Sequence, residues 1–441
     1  MSRDEILNLL KKEKVTHLGL WFIDILGHNK SIEVPSGQFN KALDGQILLD
    51  GSSIKGFARI EESDKVLVPD YATLVIFPWM EKESRVARLI CDVRNTDGSE
   101  FAGCPRTILK RICKSAAQQG YIVNAGPEVE FFLFKNDSNG KITTTVQDLG
   151  NYFDLAPIDK GESARRSMMQ VLEKIGFEIE AGHHESATGQ HEINFKYGVA
   201  LSAADKVATF RYVVRKVASD LNLHATFMPK PIFGVNGSGM HVHQSLFDKR
   251  GKNLFYDENK AYQLSIIALG YIGGLLSHAR SFCAITNPLV NSYKRLVPGF
   301  EAPTQVAWSL HNRSPLIRIP NQRGIGTRAE LRMPDPSSNP YLALAVMIAS
   351  GLDGVEHKIN PGIPIQKNIY EMSEKEKAQL KIKSLPANLR EALMLLEKSK
   401  LMRDTLGEHI FQQYLIIKRC EWNNYISQIH QCEIDWYLVN Y

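Results

Sequence analysis

Residues 126–134 read GPEVEFFLF, two glutamates inside a run that otherwise has the composition of a buried β-strand. In an extended chain alternate side chains share a face, so Glu128 and Glu130 point one way while Val129 and Phe131 point the other. Two carboxylates side by side repel each other. On a solvated face they would be an ordinary polar edge; lining a cleft, they require something cationic between them.

Other segments favour the cleft. GHHESATGQHEINFKY (182–197) supplies Glu185 and Glu192, an odd number of residues apart, and the intervening SATG can turn and reset the parity of a strand. NGSGMHVHQS (236–245) places His241 and His243 on one strand face after a glycine-rich loop, and TRAELRMPDP (327–336) places Arg328, Glu330 and Arg332 at period two. Singly, each is better read as satisfied structure, a surface charge or a self-paired ladder. Together they make five carboxylates and a histidine on strand-like segments, an oxygen-rich set with one imidazole that suits Mg²⁺ or Mn²⁺ and not zinc. Such ions usually share their remaining positions with water and nucleotide phosphates. Cationic partners for phosphate or carboxylate stand in NSYKRLVPGFEAP (Arg295) and HNRSPLIRIP (Arg313, Arg318). No GxxxxGK[ST] loop or kinase signature occurs, so phosphoryl transfer would be organised by metals and arginines.

Composition narrows the classes. The 441 residues carry 53 Lys+Arg against 48 Asp+Glu, too mild a balance to argue for nucleic acid, and no basic block or stacking-aromatic pattern supports it. The six cysteines show neither CxxC spacing nor the density of a disulfide scaffold, which predicts reduced thiols. The start, MSRDEILNLLKKEK, is too charged for a signal peptide, with Ser2 a candidate N-cap and Glu5 three residues on. The most apolar stretch, LSIIALGYIGGLLSHARSF, is interrupted by His278 and Arg280 and is read as short of a membrane span. A cytoplasmic protein is the expectation.

The first hundred residues alternate β-rich runs (THLGLWFIDILG, ATLVIFPWM, RVARLICDV) with one short helix near 36–44. A helix then opens with Pro105 near its start and ends at Gly120, which puts a domain boundary near 103: a small α+β domain over 1–102 and a larger one over 103–441. Further helical patterns run at about 163–175, 200–222, 260–280 and 340–357, and the last sixty residues read as largely helical.

In the order DGSSIKGF, GPEVEFFLF, HHESATGQHEINF, NGSGMHVH, YKRLVPGFEAP, NRSPLIRIP and RAELRMPDPSSNPYLA, the chain resembles the type I glutamine synthetases from about residue 15 onward, notably their shorter, feedback-regulated bacterial subgroup. The resemblance implies an α+β fold, with a β-grasp-like amino-terminal domain and a catalytic domain whose curved antiparallel sheet is flanked by helices. It implies ligation of ammonia to L-glutamate at the expense of ATP, through γ-glutamyl phosphate. By motif position Glu130, Glu185 and Glu192 resemble ligands of the metal nearer glutamate and ammonia; Glu128, His241 and Glu330 resemble those of the metal nearer the ATP phosphates. At least two Mg²⁺ or Mn²⁺ ions per site are implied.

By the same matching Arg313 and Arg318 contact the transferring phosphoryl group, His243, Ser245 and Arg328 contact ATP, and Tyr197 stacks on adenine. Asn236, Gly237, Arg295 and Arg332 resemble glutamate contacts. Asp50, Ser53, Tyr152 and Glu301 resemble the ammonium pocket, with Asp50 taking a proton and Glu301 closing the site on a mobile loop. Arg59 resembles a feedback contact. Tyr370 corresponds to a region that carries an adenylylated tyrosine in some members, and its altered context points to control by feedback and partner proteins, with nitrogen-regulatory transcription factors among the possible partners. A homododecamer of two hexameric rings is implied. Val242 and Ser186 depart from the usual residues, a cysteine and a small apolar residue, and are expected to change packing only. A ligase acting on methylamine or a polyamine is the nearest rival, and a catalytically dead nitrogen sensor the rival from another class; the second should lack ligands that are present here.

Overall fold

The helix Arg3–Lys12 opens the chain, capped as its sequence predicts: Ser2 Oγ accepts from the Glu5 amide, and the Glu5 carboxylate accepts from the Ser2 amide. The computed structural model describes residues 1–58, 62–79 and 84–441. Five strands follow, β1 (Val15–Ile23), β2 (Asn29–Pro35), β3 (Ile47–Asp50), β4 (Asp64–Ile76) and β5 (Arg85–Asn95), in the order β2-β1-β5-β4-β3. β1 and β5 lie parallel at its centre and the other pairs are antiparallel, which is the β-grasp arrangement. β1 and β5 carry long apolar runs because both strands are interior. A short turn at 36–38 and the helix Phe39–Leu43 occupy the stretch read as one short helix. Arg59, the expected feedback contact, lies outside the described residues.

The rest of the chain is organised around β6 (Ile122–Asn136), the strand that contains GPEVEFFLF. The remaining strands of its sheet are β7 (Ile142–Val146), β8 (Ile179–His184), β9 (Gln190–Phe195), β10 (Gly198–Val199), β11 (Leu223–Thr226), β12 (Met240–Phe247), β14 (Trp308–Ser309), β15 (Ile317–Arg318) and β16 (Ala329–Leu331); β13 (Gln305–Val306) pairs separately with β17 (Lys383–Ser384). The main path runs β14-β15-β16-β12-β6-β9-β8. Every pairing in it is antiparallel except β14 with β15, so the sheet is mixed at one end where a wholly antiparallel one was expected. Val129, Phe131 and Leu133 are fully buried on the helix-packed side, which leaves Glu128 and Glu130 on the opposite face.

The helical stretches fall at Pro105–Gln118, Glu162–Lys174, Ala200–Asp220, Ile266–Thr286 and Pro340–Glu356, followed by four helices between Leu389 and Tyr437. The fourth starts later than its periodicity predicts, because Ser265 caps it by accepting from the Ala268 amide, and it runs on past His278 and Arg280. Those polar residues are tolerated because His278 meets Asp353 at 2.8 Å and Arg280 meets Glu391 at 3.0 Å. At 21 residues the helix is long and apolar enough to cross a membrane, which corrects the reading that it falls short; more than half of its most apolar window is buried inside the protein.

Its main partner is Pro340–Glu356, and glycines bring the two backbones together: a Cβ on Gly274 would stand 2.0 Å from the Ser350 carbonyl oxygen, and one on Gly354 2.2 Å from that of Gly270. Alanine in place of glycine within a helix ordinarily gains about 1 kcal/mol of propensity. At Gly274 overpacking outweighs that gain. Gly274→Ala is expected to destabilise the protein by about 1–3 kcal/mol, read as a lowered thermal midpoint; a raised midpoint would show that the contact is looser than drawn.

Candidate active site

Pairing across the sheet gathers the polar motifs. β12 lies antiparallel to β6 with His241 opposite Glu128, and β9 lies on β6 with Glu192 opposite Glu130. β16 pairs with β12 so that Glu330 faces His243, and β15 sets Arg318 against Glu330. The turn at 185–189 resets the parity of the β8–β9 hairpin, bringing Glu185 and Glu192 to one side as the SATG sequence allows.

Two adjoining chambers result, sharing Glu128 and Asn194 in their walls. One, about 300 Å³, includes Tyr197, His243, Ser245 and Arg328 together with Phe195, Phe247 and Ile325. The other, about 410 Å³, is lined by Glu128, Glu130, Glu185, Glu192, His241 and Glu330, by Arg295, Arg313, Arg318 and Arg332, and by Tyr152, Asn236, Gly237 and Glu301. The first is partly apolar and the second is dominated by charged side chains. Asp50 and Ser53 line neither chamber: Asp50 accepts from Ser52 and Ser53 of its own turn, and nearby Gly56 packs on Ile417 and Gln413. Those serine hydrogen bonds hold the Asp50 carboxyl below the usual carboxylate range.

The carboxylates of the ionic chamber do not behave alike. Burial, then the charge of Glu192, pushes Glu130 up to about 8; burial, then Glu130 and Glu192, pushes Glu185 up to about 10. Burial would raise Glu128 too, but hydrogen bonds and charge from His241 and His243 outweigh it and hold Glu128 well below its ordinary range. Glu330, also buried, is held down at about 2 by Arg332, His243, His241 and Arg318. His243 Nδ1 accepts from Arg328 Nε at 3.1 Å, which leaves its Nε2–H to donate to Glu128 Oε1 at 2.8 Å. Of the Arg328-Glu330-Arg332 ladder that the period-two spacing allows, only Arg332 pairs with Glu330; the second partner is Arg318 from β15, and Arg328 turns to His243 and Gln322.

Two clusters have the spacing of cation ligands: Glu128 with His243 and Glu330, and His183 with Glu185 and Glu192. His241 stands between them, Nδ1 3.5 Å from Glu128 Oε2 and 3.8 Å from Glu330 Oε1, and Nε2 4.0 Å from Glu130 Oε1. His183 was missed in the sequence, although strand parity puts it on the face of Glu185; its nitrogens lie 3.4 Å from Glu185 and 3.5 Å from Glu192. Crowded carboxylates pushed toward protonation fit divalent cations, which would replace the protons. A third cluster, Asp148, Asp159, His184 and His191, is buried under the Tyr152 segment, but Arg165 already reaches Asp159 Oδ2 at 2.8 Å and His191 Nδ1 at 2.9 Å, supplying the positive charge itself.

The arginines divide by their partners. Arg295 is buried and donates to the Met333 and Arg332 carbonyls, and Gly239 makes room for it, since a Cβ there would lie 2.5 Å from its Nη2. Arg313 lines the chamber with Tyr152 and forms no ion pair among the described residues, so its charge is available. Glu301 Oε2 accepts from Asn236 Nδ2 at 3.0 Å and from Ser186 Oγ at 3.4 Å. Ser186 was expected to alter packing alone; its hydroxyl instead reaches the Glu301 carboxylate, because the 185–189 turn aims it into the chamber.

Residues 14–96 match the glutamine synthetase β-grasp domain and residues 102–437 the glutamine synthetase catalytic domain. Curated relatives called glutamine synthetase include one from Thermus thermophilus, 58% identical over 100% of this chain and 99% of its own, and one from Clostridium saccharobutylicum, 52% identical with the same coverage. A Methanosarcina mazei glutamine synthetase is 50% identical over 99% of this chain and 98% of its own. Among solved structures, a GmaS/ADP complex superposes with a TM-score of 0.89 at 30% identity, covering 98% of this chain and 99% of that one, and GmaS without ligand gives 0.88. Fold and relatives define an ATP-dependent ligase. The chain belongs to the glutamine synthetase family, in its type I form, whose members use ATP and divalent metals to make glutamine from glutamate and ammonia.

Proposed function

We propose that this protein forms L-glutamine, ADP and phosphate through γ-glutamyl phosphate, with the catalytic chemistry in the ionic chamber. The observation that carries the reading is the facing of Glu128 and Glu130 into a chamber that also holds four arginines and adjoins a half-apolar chamber of nucleotide-binding size. A GmaS/ADP complex with the same fold supports a nucleotide in the half-apolar chamber. There Tyr197 would stack on the base, with His243, Ser245 and Arg328 toward the phosphates. Asn236, Gly237, Arg295 and Arg332 would hold glutamate, the guanidinium groups matching its carboxylates.

The γ-carboxylate oxygen of glutamate attacks the terminal phosphorus of ATP and the bond to ADP breaks; ammonia then attacks the acyl carbon and phosphate leaves. Arg313 and Arg318 meet the charge spread over the phosphoryl oxygens. Tyr152, Glu301 and a neighbouring chain's Asp50 and Ser53 would form the ammonium pocket, where Asp50 removes the proton that makes ammonia nucleophilic. Glu130, Glu185 and Glu192, with His183 beside them, would hold one Mg²⁺ or Mn²⁺; Glu128, Glu330 and His241 or His243 would hold the other. Bound there, the ions supply charge neutralisation and Lewis acidity. We take 1–102 and 103–441 as the two domains, a dodecamer of two hexameric rings as the assembly and the cytoplasm as the location. Regulatory transcription factors are possible partners.

Phosphate release from ATP and glutamate tests the substrate: it should depend on ammonium and be weak with methylamine or putrescine, and preference for either amine would overturn the assignment. A second measurement tests the cations. Glu130, pushed up by burial and Glu192, and Glu185, pushed up by burial, Glu130 and Glu192, must ionise to bind metal, so metal uptake should release protons and strengthen as pH rises toward 8. Calorimetric titration with Mn²⁺ in two buffers of different ionisation heat reads this directly; identical heats would contradict it.

A further inference from the structure

Glu301 adopts a backbone conformation that residues other than glycine rarely hold, with φ at +52°. It sits on a segment between the short helix Ser292–Arg295 and β13, and separate parts of the fold secure it. The Asn236 amide and the Ser186 hydroxyl take its carboxylate. The next residue, Ala302, is buried, and its carbonyl accepts from the Tyr370 phenol at 2.7 Å. Tyr370 lies on the turn Ile369–Glu371, which is backed by a small apolar cluster of Ala307, Ile365, Ile369 and Met372. The donor is therefore anchored by packing while the acceptor lies on an irregular segment.

We propose that Tyr370 is a positioning residue for the reaction: its hydrogen bond to the Ala302 carbonyl holds the Glu301 carboxylate over the ionic chamber. The proposal rests on the role given above to Glu301. Without the phenol, a buried carbonyl beside an unfavourable φ loses its partner, and the segment gains by turning that carbonyl to water. Opening of this kind would withdraw Glu301 from Asn236 and Ser186 together.

Tyr370→Phe keeps the ring and deletes only the donor. It is expected to raise KM for ammonium about fivefold, the usual worth of one hydrogen bond, with kcat and KM for ATP changed less than twofold, on the order of measurement scatter. In a Glu301→Ala background the same change should add nothing, because the tyrosine acts through that carboxylate. Chymotryptic cleavage after Phe300, followed by mass spectrometry well below the melting temperature, should also quicken about fivefold. An unchanged ammonium KM and cleavage rate, or the same loss with and without Glu301, would overturn the proposal. If Glu301→Ala alone left ammonium kinetics untouched, the reading of Glu301 would fail first and take the proposal with it. The cleavage rate is readable even where that variant is too slow to assay.

Discussion

Alanine in place of Arg313 is expected to lower kcat by about a hundredfold to a thousandfold while moving KM for ATP only a few-fold. The asymmetry follows from what the four arginines already touch. Arg318 and Arg332 each already pair with Glu330, and Arg295 already donates to backbone carbonyls, while all three still line the chamber. Arg313 carries a charge with no carboxylate partner among the described residues and faces Tyr152 across the ionic chamber. Arg313 is exposed at the chamber's edge and its guanidinium is free to meet negative charge where it develops, and an interaction made mainly in the transition state appears in kcat. Steady-state kinetics decide: an unchanged kcat with a raised KM would reassign Arg313 to ground-state binding.

A comparable loss is expected for Asp50→Ala, for a different reason. Asp50 is exposed at the end of β3, turned toward its own serines, and lines neither chamber of its own chain. If it serves the reaction, it serves a neighbour's site. Oligomers of Asp50→Ala alone or Arg313→Ala alone should then be nearly inactive. Random one-to-one mixing in a head-to-tail ring should restore about a quarter of the sites, each pairing an intact Asp50 with an intact Arg313 from the adjacent chain. Doubly tagged mixed oligomers, purified and assayed for glutamine, report this. Mixed oligomers as inactive as their parents would mean that Asp50 acts within its own chain, and an active Asp50→Ala parent would mean that it does not act at all.

What was legible in the sequence followed from periodicity. The parity of GPEVEFFLF put Glu128 and Glu130 on one face, and the sheet keeps them there because Val129 and Phe131 are committed to the core. The helix Pro105–Gln118 announced itself by proline at its first turn, and Pro340–Glu356 by its periodicity. β2 and β3 escaped notice: NKSIEVP and ILLD are short and half exposed, and strand pairing across the β-grasp sheet, not local propensity, makes them strands. The start of Ile266–Thr286 was misplaced because an apolar periodicity has no edge, whereas a serine cap does.

At the site, sequence showed which residues share a face but not how far they sit from one another. Which histidine closes on Glu128 depends on the rotamers of His241 and His243, two residues apart on one strand, and the nearer contact belongs to His243. His183 was within reach of the parity argument and was passed over. Ser186 was not: a hydroxyl in a turn discloses nothing of Glu301, 115 residues away, until the chain is folded.

The central claim is that neighbouring carboxylates on β6 serve two different cations. Mn²⁺ titration of the wild type, Glu128→Gln and Glu130→Gln, each with and without ADP, tests it most directly. Each variant should lose one binding site, and the losses should differ: the site left in Glu130→Gln should tighten when ADP is added, and the site left in Glu128→Gln should not. Two intact sites in either variant, or the same site missing from both, would contradict the account.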